Sequence, residues 1–149
     1  MKENKYLKNH SRLHACHDTC IVCGEKNPLG LKVYFRLTES GAVEAEFMPK
    51  FAYEGYKGFL QGGVAAALMD SAMTNCLFYH GIAAFTAELS VKYLKPMRCG
   101  RKMSINAKIE KSWNPLHILS SSIIQDGKMV AESTAKFMES DLLKKDEPL

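Results

Sequence analysis

The residues best suited to chemistry lie in one stretch near the middle of the chain. Gly62 and Gly63 open a run of apolar residues that continues to about Phe78, and Asp70 lies inside that run. Backbone amides at the start of a helix point partial positive charge outward and stabilise a developing oxyanion. A carboxylate can serve as a general base or a nucleophile. This stretch is therefore the first candidate for a functional site.

Each of these residues also has a purely structural interpretation. An aspartate in a buried apolar helix costs free energy unless it is paired, hydrated or functional, so Asp70 has a role of one of these kinds. It is either a carboxylate satisfied by a neighbouring hydroxyl or amide, or part of a site. The pair Gly62-Gly63 also suits close packing between a helix and a strand. Thr74 lies one turn after Asp70 on the same face and could orient a water molecule there.

A second group of reactive side chains lies near the N-terminus. Cys16, Cys20 and Cys23, with His14 and His17 close by, supply enough ligands to imitate a zinc site. No second cysteine pair or distant histidine pair closes a standard zinc finger, so we expect no metal and no cofactor.

The hydrophobic pattern predicts the elements that must position these residues. Residues 62–79 form one long buried helix that ends at the glycine of Tyr79-His80-Gly81. Alternating apolar residues predict strands at 31–37, 43–47, 85–94, 103–110, a run ending at 123–124, and 129–138. Asp126-Gly127 is typical of a hairpin turn. The order ββαββββ predicts an α+β fold in which about six antiparallel strands pack against one long helix.

Composition limits the function classes. With 149 residues, 46% hydrophobic and 24% charged, the chain is expected to form one domain over 1–149, with an N-terminal arm at 1–19 and a polar tail at 139–149. A net charge of +4 with no recognition motif does not indicate nucleic acid and suits a small polyanionic ligand. No run reaches membrane-spanning length, and no signal core follows the first residues, so we expect a cytoplasmic protein. The odd cysteine count also fits a reducing compartment.

Three segments make the chain resemble the hot-dog fold thioesterases, in particular the acyl-CoA thioesterases of the phenylacetate pathway. They are Cys20-Ile21-Val22-Cys23-Gly24 with Asn27-Pro28-Leu29-Gly30-Leu31, then Gly55 through Gln61-Gly62-Gly63 to Asp70, and Glu88-Leu89-Ser90-Val91-Lys92-Tyr93-Leu94-Lys95-Pro96. The resemblance implies an antiparallel sheet wrapped around a central helix and an acyl-CoA substrate. The family pattern has His-Gly-Gly with an acidic residue nine positions after the histidine, and Asp70 is nine positions after Gln61. Gln61 therefore replaces the usual histidine, and Gly55 replaces an asparagine that the family often has.

The resemblance also implies roles for individual residues. Asp70 is the base or nucleophile, Gly62 and Gly63 supply oxyanion donors, and Gln61 can only orient a group, because glutamine does not titrate near neutral pH. Gly63 and Asp70 are roughly 10 Å apart along a helix, so the family assembles the site across a homodimer or a dimer of dimers. Further candidate substrate-binding residues are Thr74, Thr86, Lys95 and Arg98, the last two for the phosphates of CoA.

Two other functions remain open at this stage. One is an acyl-CoA-binding or regulatory protein without turnover, which the replacements at Gln61 and Gly55 motivate. The other is a hot-dog dehydratase, which needs a proton-shuttling histidine that this motif lacks. The sequence does not identify the acyl group. The candidates for the lining of its pocket are Tyr56, Phe59, Leu60, Met69 and Met73.

Overall fold

The computed structural model describes residues 2–143 of the chain; Met1 and the part of the predicted tail from 144 onward lie outside the described residues. The helices are α1 (Lys2–His14) and α2 (Gly62–Tyr79), and the strands are β1 (Arg36–Leu37), β2 (Val43–Phe47), β3 (Ala84–Tyr93), β4 (Met103–Trp113), β5 (Leu116–Gln125) and β6 (Lys128–Glu139). Short 3-10 turns occupy Ala15–His17, Phe51–Tyr53 and Asp141–Leu143. Neither helix of the described part is long and apolar enough to cross a membrane.

The strands form one six-stranded antiparallel sheet in the order β1-β2-β4-β5-β6-β3. This confirms the predicted α+β fold with one long helix at 62–79. Asp126 and Gly127 both have positive φ, 53° and 74°, so the turn between β5 and β6 has the predicted tight-hairpin backbone. Strand β3 lies at one edge of the sheet, ten residues long, and pairs with β6 among the described strands.

The first predicted strand is wrong in its bounds. Alternation predicted a strand over 31–37, but only Arg36 and Leu37 pair with β2. Residues 31–33 instead bond to the preceding loop, where the amides of Leu31 and Val33 donate to the carbonyls of Ile21 and Val22. Lys32 has a φ of 57°, which is incompatible with extended backbone. Alternating burial therefore persists here without a β ladder.

Helix α2 is the centre of the core. It carries one charged side chain, Asp70, and most of its residues are buried, including Leu68, Met69, Met73 and Leu77, which are at most 1% exposed. One side packs on strands β2 to β6, and the opposite side is covered by α1. The predicted N-terminal arm is thus a docked helix.

Polar side chains hold two regions of this core together. His10 on α1 bonds Asn75 on α2 at 2.9 Å, and the Asn75 amide donates to the Ser71 carbonyl. At the far end of the sheet the buried His117 ring lies between the Ser112 hydroxyl and the Glu139 carboxylate, at 2.7 Å from each. The second network joins the end of β6 to β4 and β5 beside the turn between these two strands.

Candidate active site

Gln61 begins α2 as its N-cap. Its backbone is extended, and its side-chain Oε1 accepts a hydrogen bond from the amide of Val64 at 3.0 Å. An N-cap of this kind satisfies one of the amides that a helix start leaves without a partner. The amides of Gly62 and Gly63 have no acceptor within the helix and stay available as donors. The residue in the histidine position of the motif therefore shapes the helix start.

Both glycines also lie close to neighbouring side chains. A Cβ on Gly63 would lie 2.9 Å from Oε1 of Gln61, and a Cβ on Gly62 would lie 3.4 Å from the Tyr93 ring. The Tyr93 hydroxyl donates to the Gly62 carbonyl at 2.6 Å and fixes the helix start to the end of β3. Close packing at the helix start is therefore compatible with a catalytic role for the pair. Sequence reasoning missed Tyr93, because nothing in the pattern of β3 shows what lies opposite its last residue.

Asp70 is half-buried on α2 and faces β3. The Thr86 hydroxyl donates to its Oδ1 at 2.6 Å. Burial raises the pKa of Asp70 above its usual range, and the bond from Thr86, which favours the ionised form, opposes this shift. The Coulombic influence of Cys20 raises the pKa of Asp70 further, and that of His17 lowers it. The carboxylate is thus held in place by Thr86 and is more basic than an exposed aspartate.

The surroundings of Thr86 are irregular. Its strand is bulged, because the register with β6 shifts between Thr86 and Glu88. Bulges re-aim side chains and are frequent beside active sites. The shift allows Thr86 to turn toward α2 near the free edge of the sheet.

Thr74 is placed differently from Thr86. Its hydroxyl donates to the backbone carbonyl of Asp70 at 3.0 Å, and the residue is buried. The structure therefore brings the Thr86 hydroxyl to the carboxylate, and it directs the proton of Thr74 to the helix backbone.

The amides at the start of α2 and the Asp70 carboxylate lie at different points on the helix. From Gly63 to Asp70 is two turns of helix, about 10 Å. This separation along the helix bears on whether the two groups can act together on one carbonyl carbon.

An open cleft of about 480 Å³ adjoins the start of α2. Its lining is largely apolar and aromatic and consists of Tyr56, Phe59, Leu60, Gly62, Tyr93, Leu94, Lys95, Pro96 and Met97. The Arg98 guanidinium lies 5.3 Å from the centre of the Phe59 ring. Gly62, Lys95 and Arg98 thus gather at one end of the molecule. Met69 and Met73 were predicted as pocket candidates, but both are completely buried in the core and do not line this cleft.

The N-terminal cysteine segment is more organised than its sequence indicated. His17, Cys20 and Cys23 each offer a ligand atom, and these atoms lie within 4.8 Å of one another. Hydrogen bonds from Cys23 and His17 lower the pKa of Cys20 well below that of a free thiol, to about 3, and the pKa of Cys23 is raised in turn. Cys16 is exposed and lies outside this group.

Comparison with known proteins identifies relatives of this fold and motif. Residues 57–132 match the family model of the thioesterase superfamily. Over 90 residues the chain is 29% identical to the mouse acyl-coenzyme A thioesterase THEM4, a match that covers 59% of this chain and 39% of the mouse protein. The chain therefore corresponds to less than half the length of that relative.

Solved structures share the fold. The PaaI protein of the E. coli phenylacetic acid degradation operon superposes with a TM-score of 0.72 over 93% of this chain and 98% of that one, at 16% identity. A Streptococcus mutans protein bound to acetyl CoA gives a TM-score of 0.68 over 72% of this chain and 88% of that one, at 20% identity. These likenesses confirm the predicted hot-dog architecture.

Proposed function

The chain belongs to the thioesterase superfamily, and on that premise we propose that it hydrolyses the thioester of an acyl-CoA to the free acid and CoA. The observation that carries this proposal is the carboxylate of Asp70, half-buried, held by Thr86 and raised in pKa, on a helix that starts with two free amides. The mouse relative is itself an acyl-CoA thioesterase, which agrees with this substrate class.

In the proposed reaction Asp70 takes a proton from a water molecule that attacks the thioester carbonyl. The carbonyl oxygen becomes an oxyanion, and the amide of Gly62 or Gly63 stabilises it together with the positive end of the α2 dipole. The intermediate then collapses, breaks the carbon–sulfur bond and releases CoA as a thiolate, and the proton held by Asp70 passes to that thiolate or to solvent. Because a thiolate is a good leaving group, the reaction needs no strong general acid. A direct attack by Asp70 on the carbonyl is the nucleophilic variant of the same scheme.

The oxyanion donors and the carboxylate come from different subunits in this proposal. Their separation of about 10 Å along one helix supports this. Strand β3 provides a route to a homodimer, because it is a long edge strand with largely exposed residues, including Phe85 and Tyr93. Such an edge is a template for pairing with a second copy. Asp70 and Thr86 lie beside this edge, so pairing there would bring the carboxylate toward the partner's helix start. A dimer of dimers would contain two homodimers, each paired in this way through β3.

The cleft beside Gly62 is the proposed path of the substrate. Apolar and aromatic residues suit the acyl or pantetheine part, and Tyr56, Phe59 and Leu60 are the lining residues that sequence analysis had named. Lys95 and Arg98 lie at the same end and supply positive charge for the phosphates of CoA. The reaction needs no cofactor, since CoA is part of the substrate. All five cysteines are free, so we propose the cytoplasm as the compartment.

A second candidate function is acyl-CoA binding without turnover. Its support is Gln61, which stands in the motif's histidine position and uses its side chain to cap α2. Gln61 cannot exchange a proton near neutral pH. A protein of this kind would keep the substrate cleft and would not accelerate hydrolysis of the thioester.

A panel of acyl-CoAs, aryl and aliphatic, distinguishes the two functions. Free thiol release is measured for the parent protein and for Asp70→Asn, and thermal stabilisation by each acyl-CoA is measured in parallel. The thioesterase proposal expects multiple turnovers by the parent protein and a loss of turnover in Asp70→Asn with stabilisation retained. Stabilisation by acyl-CoA without thiol release above the uncatalysed rate would establish the binder instead.

A further inference from the structure

The segment from His17 to Gly24 is folded into a tight, multiply bonded turn. The amide of Gly24 donates to the Cys20 carbonyl at 2.9 Å, and the amide of Val22 points at the Cys20 sulfur at 3.4 Å. Backbone donors aimed at a cysteine sulfur stabilise its negatively charged form. A Cβ on Gly24 would lie 2.6 Å from the carbonyl oxygen of Asp18 and closer still to the amide of Cys20, so only glycine fits. The turn therefore places two sulfurs side by side.

The flanking loop is fixed by an ammonium group. Lys32 Nζ donates to the carbonyl oxygens of Gly24, at 3.2 Å, and Asn27, at 2.6 Å. These contacts occur where Lys32 has a left-handed backbone and the predicted strand is absent. They also show that the loop is organised around the cysteine turn.

A third possible ligand atom and two supporting side chains complete the arrangement. A ring nitrogen of His17, Nδ1, lies 3.9 Å from the Cys23 sulfur. The amide of buried Asn75 donates to the Cys23 sulfur at 3.5 Å, and Asn75 is held in turn by His10. Supporting donors of this kind orient ligands and tune metal sites.

We propose that His17, Cys20 and Cys23 bind one zinc ion through one nitrogen and two sulfurs. Soft thiolates with an imidazole are a zinc ligand set, and two cysteines with one histidine leave a fourth tetrahedral position to a water or another small ligand. Among the described residues 2–143 no fourth histidine, cysteine or carboxylate joins this group.

This inference replaces the expectation from sequence, which required a second ligand pair far along the chain. The three ligands instead lie within seven residues and meet because the turn is so tight. Zinc binds each cysteine as a thiolate, and the proton of any thiol that ionises passes to solvent. Because Asn75 and Phe78 on α2 contact Cys23 and His17, the ion would strengthen the attachment of the N-terminal segment to α2.

The test uses full-length protein purified without a histidine tag. Zinc content is measured by elemental analysis for the parent and for Cys20→Ser and His17→Gln. The matched control is Cys16→Ser, an exposed cysteine four residues away that lies outside the ligand group. We expect about one zinc per chain in the parent and in Cys16→Ser, with at least a tenfold loss of affinity in the two ligand variants, in line with removal of one metal ligand.

Cobalt and melting measurements give readouts independent of activity. Cobalt(II) in the parent should give intense tetrahedral absorption with thiolate-to-metal bands; Cys20→Ser should weaken those bands and Cys16→Ser should not. Zinc should raise the melting temperature of the parent and leave that of Cys20→Ser unchanged. Zinc content in the reduced parent no higher than in Cys20→Ser would overturn the proposal. A weak octahedral cobalt spectrum, or metal lost equally in Cys16→Ser, would also overturn it.

Discussion

Removal of the Thr86 hydroxyl should move the pH dependence of thioester hydrolysis without abolishing it. Thr86→Val keeps the shape of the side chain and deletes the 2.6 Å bond to Asp70. A hydrogen bond to a charged group contributes about 1.5–3 kcal/mol, and the lower end applies because Thr86 is exposed. About 1.5 kcal/mol corresponds to roughly a tenfold fall in the ratio of ionised to protonated Asp70 at a given pH.

The direction in which the pH profile moves follows from the role of the bond between Thr86 and Asp70. The bond favours the ionised carboxylate, so its loss raises the pKa of Asp70 further above the ordinary range. If ionised Asp70 is the base, activity rises with pH through its ionisation and then levels off. The acid limb of kcat should therefore move to higher pH in Thr86→Val, while the plateau stays close to that of the parent. Cys20 and His17 also influence Asp70, so all variants are compared at equal metal content.

The assay is thiol release from the best acyl-CoA across pH, with Thr86→Ser as the matched control because it keeps the hydroxyl. Thr86→Ser should restore the parental acid limb. An acid limb that stays in place in Thr86→Val, with the protein folded, would refute the link between this bond and the catalytic ionisation. An acid limb that persists in a still-active Asp70→Asn would refute the role of Asp70 itself.

Three other results are expected. Asp70→Asn should lower turnover by roughly 10²–10⁴ and raise stability near neutral pH. Because the pKa of Asp70 is raised, the folded state holds its proton more tightly than the unfolded state does. The free energy of unfolding therefore falls as pH rises from the unfolded pKa through the folded one, and melting temperatures measured against pH should show this fall in the parent and not in Asp70→Asn. Gln61→Ala should lower the free energy of unfolding by about 1 kcal/mol through loss of the N-cap bond to Val64, with a smaller rate loss than Asp70→Asn; an unchanged melting curve would contradict the cap. The double variant Lys95→Gln and Arg98→Gln removes two positive charges, so it should raise KM and reduce the salt dependence of KM while kcat changes little. A KM equal to that of the parent would show that neither residue binds the phosphates of CoA.

Local pattern was sufficient to predict the central helix and most strands. The helix bounds are marked by the glycine pair, the apolar run and Gly81, which has the positive φ of a helix stop. The failure at 31–35 has a physical reason. Alternating burial is necessary for a strand facing a core, but the backbone of Lys32 is set by bonds to a loop that the alternation does not show.

The candidate site was predictable to the extent that its residues lie on one element. The positions of Gly62, Gly63 and Asp70 followed from the motif and the resemblance. The bond between Thr86 and Asp70 spans sixteen residues and depends on how β3 packs on α2, so only the resemblance indicated Thr86. The occlusion of Met69 depends on the whole sheet and no local signal revealed it.

The central claim, that each site is built from two subunits, is tested most directly by mixing two inactive proteins. Gly62→Pro deletes the proposed donor at Gly62 and leaves the amide of Gly63, so its own loss of activity is measured before the mixing. The substitution suits the chain because proline is favoured at the first helical position and Gln61 before it is already extended. Gly62→Ala keeps the amide and is the matched control for the added carbon beside Tyr93. Asp70→Asn deletes the base on the other chain.

Equal amounts of Gly62→Pro and Asp70→Asn are unfolded together, refolded so that subunits exchange, and assayed for thiol release. In a mixed dimer one site combines the intact Gly62 of one subunit with the intact Asp70 of the other. Random pairing then predicts recovery of about a quarter of the parental activity per chain from two proteins that are each inactive. Mixed dimers that form and stay as inactive as the two parents would contradict a site shared between subunits.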